Sequence, residues 1–226
     1  MKSSQSPRCF PWRITVGSAV VLLAACSTTP PPAWQSEAFD ALERQRMAYF
    51  AGESRTAERE ILRAKRALSA TGRPDLVARV ELIRCGHGHA SLDFDTCAAV
   101  AALREDMAVE DQPYAVWLTE SAGPVDAASL PVQYRDVSRA VNDKARVQAL
   151  NKIADPVSRL IAAGVLFRRQ QLAPGGIEIA IDTASAQGFR RPLLAWLTVE
   201  LRRAEAAGDA TTVERLRRRI ALATGG

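Results

Sequence analysis

Thr56-Ala57-Glu58-Arg59-Glu60-Ile61-Leu62-Arg63-Ala64-Lys65-Arg66-Ala67-Leu68-Ser69-Ala70 sets Ala57, Ile61, Ala64 and Leu68 on one stripe, with charged side chains over most of the remaining surface. Apolar residues three and four positions apart share one face of an α-helix, so this segment predicts an amphipathic helix with a narrow buried side. Gly72 beyond its end suits a C-cap, and Pro74 suits the first turn of a third helix with Val77, Val80 and Ile83 inward. Upstream, Ser36 to Phe50 predicts a first helix with Phe39, Leu42, Tyr49 and Phe50 on its inner side.

The same period continues downstream. After a loop at Cys85 to Asp95, helices are predicted over Thr96 to Asp106 and from Pro113 through Trp117. Gly123 to Leu130 is a turn-rich break. Beyond it come Val132 to Val141, Lys144 to Ile153, and Pro156 to Leu172 with Asp155 as N-cap. Ile177 to Gln187, Pro192 to Ala207 and Ala210 to Ala223 complete the series. Strand-like alternation occurs only at Ile177-Glu178-Ile179-Ala180-Ile181, which reads as helix between Gly175-Gly176 and Gly188. The expected fold is all-α, with short connections making antiparallel hairpins that form either a repeat array or an irregular bundle. Residues 36–122 and 130–226 are the expected helical subdomains.

Two joints are similar to the turn inside a tetratricopeptide repeat: Gly52 followed by Ala57, Ile61 and Ala64, and Gly208-Asp209 followed by Val213 and Ile220. The resemblance implies small residues where paired helices cross, and hairpins that bury their faces by stacking. Arg217 stands where the family places a large apolar residue, and no sustained repeat runs through the middle of the chain.

The first 13 residues hold Lys2, Arg8 and Arg13 and no acid, and Ile14 to Ala25 is an apolar run of twelve. That is the layout of a secretory signal, too short for a permanent span of about 20 residues. Leu23-Ala24-Ala25-Cys26 resembles the lipobox of bacterial lipoprotein signal peptides. The resemblance implies removal of residues 1–25, diacylglycerol on the Cys26 thiol and a stable anchor in the lipid bilayer. Ser27 after the cysteine implies export to the outer membrane with the domain facing the periplasm, inner-membrane retention being the other outcome. Ser27-Thr28-Thr29-Pro30-Pro31-Pro32 favours an extended path, so residues 26–35 read as a lipidated tether.

The chain carries 30 Lys and Arg against 25 Asp and Glu, and the leader holds three of those cations. The remainder is close to neutral, so nucleic acid is not an expected partner. No G-x-S-x-G elbow, phosphate-binding glycine loop or H-E-x-x-H motif is present. The acidic pairs Glu105-Asp106 and Glu110-Asp111 fall at a helix end and in a loop, where solvation explains them. Trp117 and Trp196 sit in apolar helical faces as core, whereas Trp34 lies between the prolines and the first helix. Arg202, Arg203, Arg215, Arg217, Arg218 and Arg219 make the last hairpin cationic, as a solvated face or as a contact for anionic lipid or cell-wall polymer.

One stretch gathers chemistry: Cys85-Gly86-His87-Gly88-His89-Ala90-Ser91-Leu92-Asp93-Phe94-Asp95-Thr96-Cys97 contains both histidines of the chain. In an oxidising compartment a Cys85–Cys97 disulfide is expected, closing a loop of about a dozen residues. The competing reading uses His87, His89, Asp93 and Asp95 as metal ligands for zinc, copper or nickel, although Asp95 or Thr96 also suits a helix N-cap. The expected function is a non-catalytic interaction or scaffold protein of the cell envelope, whose partner is another envelope protein. It needs no cofactor beyond lipid on Cys26, and no small-molecule substrate is evident. A metal-binding protein using His87 and His89, and an envelope hydrolase, are the alternatives.

Overall fold

The computed structural model describes residues 30–120, 123 and 125–225; the leader, Cys26 and the start of the tether lie outside the described residues. Among these, the secondary structure is entirely helical. The α-helices are α1 (Ala33–Ala51), α2 (Ser54–Ser69), α3 (Pro74–Ala90), α4 (Ala98–Ala102), α5 (Gln112–Thr119), α6 (Arg135–Arg139), α7 (Asp143–Lys152), α8 (Pro156–Arg168), α9 (Pro174–Gln187), α10 (Arg190–Ala207) and α11 (Ala210–Thr224). Short 3-10 turns occupy Phe94–Cys97, Ala127–Ser129 and Val132–Tyr134.

Local chemistry sets the ends. Gly52 takes φ +89°, a left-handed conformation that lets Glu53 N–H reach back to Ala48 O at 2.8 Å and turns the chain into α2 within two residues. Asp155 accepts from Ser158 N–H at 2.7 Å ahead of Pro156, and Asn142 and Asp209 cap α7 and α11 in the same way. Two-residue joints fold α2 back on α1, α10 on α9 and α11 on α10. Ala57, Ile61, Ala64 and Leu68 are all buried; the last three cluster with Ala38 and Ala41 of α1 and Val80 of α3, whereas Ala57 joins the main core. Trp34 packs against this small cluster, so the first turn of α1 is docked on the hairpin.

The main core joins both sides of the 123–130 break. Residues 31–226 form one compact unit, and α3 lies directly on α8. Glycines permit that approach. A Cβ on Gly164 of α8 would stand 2.0 Å from the His89 carbonyl oxygen of α3, and one on Gly86 would stand 3.2 Å from Ile161 Cδ1. The pairing of 86 with 161 and of 89 with 164 means the two helices advance in the same direction. Trp196 is fully buried beside them, its Nε1–H donating to Ala90 O at 3.0 Å. Trp117 is buried against Tyr134, ring centroids 4.8 Å apart. Each indole removes roughly 150–250 Å² from water, worth about 4–6 kcal/mol before entropy is counted.

Four expectations need correction. Phe39 points outward at 65% exposure, because the side of α1 it shares with Phe50 is covered by Phe189 only near the helix end. Residues 85–90 are not a loop but the last turns of α3. The helix expected over Thr96 to Asp106 is a 3-10 turn followed by five α-helical residues. α8 stops at Arg168 rather than Leu172, closed by Gln170 at φ +56° and a Gln171 N–H bond to Leu166 O.

Candidate functional site

The segment 85–97 is built by α3, a turn at 91–93 and the 3-10 turn that returns to α3. Gly88 allows the return: a Cβ there would lie 1.8 Å from Thr96 Oγ1 and 2.4 Å from Asp93 O. Thr96 Oγ1–H donates to Asp93 O at 2.8 Å, fixing the turn from within, so neither Thr96 nor Asp95 caps a helix with its side chain. Cys85 and Cys97 form a disulfide, with Cα atoms 4.4 Å apart and both residues buried.

His87 and His89 are two positions apart on a helix and so point to different sides of α3. His87 Nδ1–H donates to Gln45 Oε1 at 2.9 Å, and its ring packs against Phe50 and Tyr49. His89 Nδ1–H donates to Cys85 O at 3.1 Å, and its ring meets Phe94 edge-on. Its Nε2 is buried without a hydrogen bond. Burial pushes both imidazoles down to about 4, assisted by Arg46 at His87 and opposed at His89 by its bond to the Cys85 carbonyl. Both rings are therefore neutral at pH 7.

Asp93 accepts from the Tyr49 hydroxyl at 3.1 Å, and Asp95 is exposed. His87, His89, Asp93 and Asp95 thus do not converge on one point. The metal-capable donors that do converge among the described residues are the Cys85 and Cys97 sulfurs and the His89 ring, within 4.8 Å of one another. His89 Nδ1 lies 3.9 Å from Cys85 Sγ and 3.6 Å from Cys97 Sγ, and both sulfurs are consumed by the bond between them.

A polar cleft of about 160 Å³ opens beside this segment, lined by Gln45, Tyr49, Arg84, Asp93, Thr96 and Arg191 among others. Its groups are engaged with one another. The Arg191 guanidinium sits 4.4 Å from the Tyr49 ring centroid, its Nε donates to Tyr49 O at 2.7 Å, and Nη2 donates to Ser54 Oγ at 2.6 Å. Burial, followed by the Asp93 charge, raises the Tyr49 hydroxyl well above its ordinary range, so it stays a donor. Glu81 is fully buried and held by Lys65 and by Arg84 at 3.4 Å, joining α2 to α3. The pairs at 105–106 and 110–111 do not join the cleft: Glu105 and Asp106 are exposed, and Asp111 accepts from Arg79 Nε at 2.8 Å.

Gln45, Tyr49 and Glu81 escaped sequence reasoning as members of this network. Glu81 carried a legible signal, since it stands four residues from both Val77 and Cys85 on the buried side of α3, where a carboxylate requires a cation. Comparison with family models, curated proteins and solved structures found no match to this chain.

Proposed function

We propose that this chain is a non-catalytic interaction or scaffold lipoprotein of the cell envelope, anchored through acylated Cys26 and presenting its helical unit to another envelope protein from the periplasmic side of the outer membrane. The observation that carries the reading is the buried disulfide beside a set of side chains engaged with one another. Cys85 is bonded to Cys97, His87 to Gln45 and Tyr49 to Asp93, so the side chains that promised chemistry serve packing. A buried structural disulfide suits an oxidising compartment, which the lipobox-like leader independently indicates. The α1–α2 hairpin, where the tether enters, leaves Phe39 and Met47 at 65% exposure and Leu62 at 52%, apolar surface available to a partner. No described helix is long and apolar enough to cross a membrane, so on this reading attachment falls to the acyl chains.

Intact mass analysis of protein purified from its native membrane tests the anchor. Triacylated Cys26 as the first residue supports it, and an unmodified N-terminus at another residue overturns it. Photo-crosslinking from position 39 or 47 in intact cells tests the scaffold role: one recurrent envelope protein at both positions supports it, and no adduct at either overturns it.

A further inference from the structure

Helix α11 ends the fold and packs principally against α10, burying Val213 and Leu216. A full side of it meets solvent. At 3.6 residues per turn, Arg215, Arg218, Arg219 and Leu222 fall within one sector of about 100°, turned away from Val213, Leu216 and Ile220. Arg215 and Arg218 are exposed, Arg219 is half-buried, and Leu222 is 82% exposed at the end of the row.

The charges of this row are scarcely compensated. Arg203 and Arg217 are bound to Glu200 and Glu205 at 2.7 and 2.8 Å, but neither Arg215 nor Arg219 has an ion-pair partner among the described residues. Arg218 meets Glu214 at 3.8 Å with both side chains largely in water, where screening leaves little attraction. The wider distribution points the same way: residues 190–226 hold eight arginines and four carboxylates, whereas residues 31–189 hold 19 cations and 21 carboxylates. Positive potential is concentrated at the α10–α11 end of a unit that is slightly acidic elsewhere.

We propose that the outer face of α11 docks on an anionic phospholipid surface, Arg215, Arg218 and Arg219 pairing with lipid phosphates while Leu222 enters the boundary between headgroups and acyl chains. Guanidinium forks match phosphate oxygens in pairs, and the row lies along a helix about 22 Å long that can rest flat. Leu222 selects a bilayer over a soluble polyanion, because only the bilayer removes that side chain from water. The membrane location rests on the proposed function, and a tether that already holds the unit at the surface makes a low intrinsic affinity sufficient.

The test uses a chain beginning at Ser27, which carries no acyl group; residues 31–226 form one compact unit whose described core draws on nothing before Trp34. Co-sedimentation is measured with vesicles of phosphatidylcholine containing phosphatidylglycerol, with phosphatidylcholine alone, and at 1 M salt, where the screening length falls to about 3 Å. Binding is expected to the anionic vesicles only and to disappear at high salt. Each arginine contributes about fivefold, so R215Q/R218Q/R219Q is expected to bind roughly a hundredfold less. Its thermal unfolding, unchanged because these side chains leave the core intact, excludes misfolding as the cause. Leu222→Ser is expected to weaken vesicle binding and leave binding of a soluble polyanion unaltered. Equal binding by the triple variant, equal binding to neutral vesicles, or indifference to Leu222→Ser overturns the proposal, the last pointing to a cell-wall polymer instead. Absence of lipid on Cys26 in the native protein would refute the anchor and leave this vesicle result standing by itself.

Discussion

The backbone of Gly164 touches the His89 carbonyl so closely that a methyl group on Gly164 would stand 2.0 Å from that oxygen. The α3–α8 contact thus has no room for a side chain at its centre, and the halves of the chain on either side of the 123–130 break are held together there. Gly164→Ala must push α3 from α8 or bend one of them. Its expected cost is about 1–3 kcal/mol, the usual range for an overpacked core. Urea unfolding checks it against Gly175→Ala, where the nearest atoms are Val147 methyls at 3.6 Å and the effect should be small.

The disulfide closes the turn at 91–93 against α3. In the unfolded chain it restrains a loop of 12 residues in sequence separation, a constraint worth on the order of 3 kcal/mol. Cys97→Ser is expected to lose that amount, read as an earlier denaturation midpoint. Alkylation should modify neither thiol in the native protein and both after unfolding with reductant. Labelling mapped to Cys85 and Cys97 without reductant refutes the bond.

Acid should destabilise the fold well before ordinary carboxylates titrate. His87 and His89 have folded values near 4 against 6.5 when unfolded, so between those pH values the unfolded chain binds the extra protons. Stability is therefore fully present above pH 6.5 and declines as pH falls towards 4, by on the order of 3 kcal/mol for each ring. The charges that bear on His87 are Arg46, Glu43 and Asp155, and those on His89 are Arg168 and Arg169. Unfolding free energies at pH 7.5 and 4.5 measure the decline, which His89→Leu should reduce by about half. Equal values at the two pH settings contradict the assignment of neutral buried rings.

Glu81 and Lys65 form a pair with unequal exposure, Glu81 at 0% and Lys65 at 31%. Removing the cation strands a buried carboxylate with only Arg84 beside it, whereas removing the carboxylate frees a lysine that can reach water. Lys65→Met is expected to cost more than Glu81→Gln, by about 1–2 kcal/mol. The reverse order in thermal unfolding refutes the account.

The helices were legible because burial leaves a period in the sequence. The Ala57–Leu68 stripe, the Asp155 cap and the helical reading of Ile177 to Gln187 all depend on local rules that the packing obeys. Residues 85–90 were misread because glycine weakens a helix in isolation, and its compensation here is tertiary: Gly86 and Gly88 are the surfaces against which Ile161 and Thr96 lie. Phe39 was misplaced for a related reason, since periodicity assigns a face but not how far along that face another helix extends. The Cys85–Cys97 pairing was legible once the lipobox resemblance set Cys9 and Cys26 aside, whereas His87 finding Gln45, 42 residues away, left no trace in spacing.

Arg190 and Arg191 reach across 139 and 142 residues to the carbonyls of Ala51 and Tyr49, and Phe189 covers Phe50. The end of α1 is thereby completed by material from the last fifth of the chain. A polypeptide emerging N-terminus first holds its α1–α2 hairpin without these guanidinium donors, and with Phe50 lacking the cover of Phe189, until residue 191 arrives. Such a sequence-distant closure slows folding and prolongs exposure to aggregation. The α1–α2 hairpin therefore reaches its finished packing only once residues 189–191 are present, so the fold closes from its last fifth backwards.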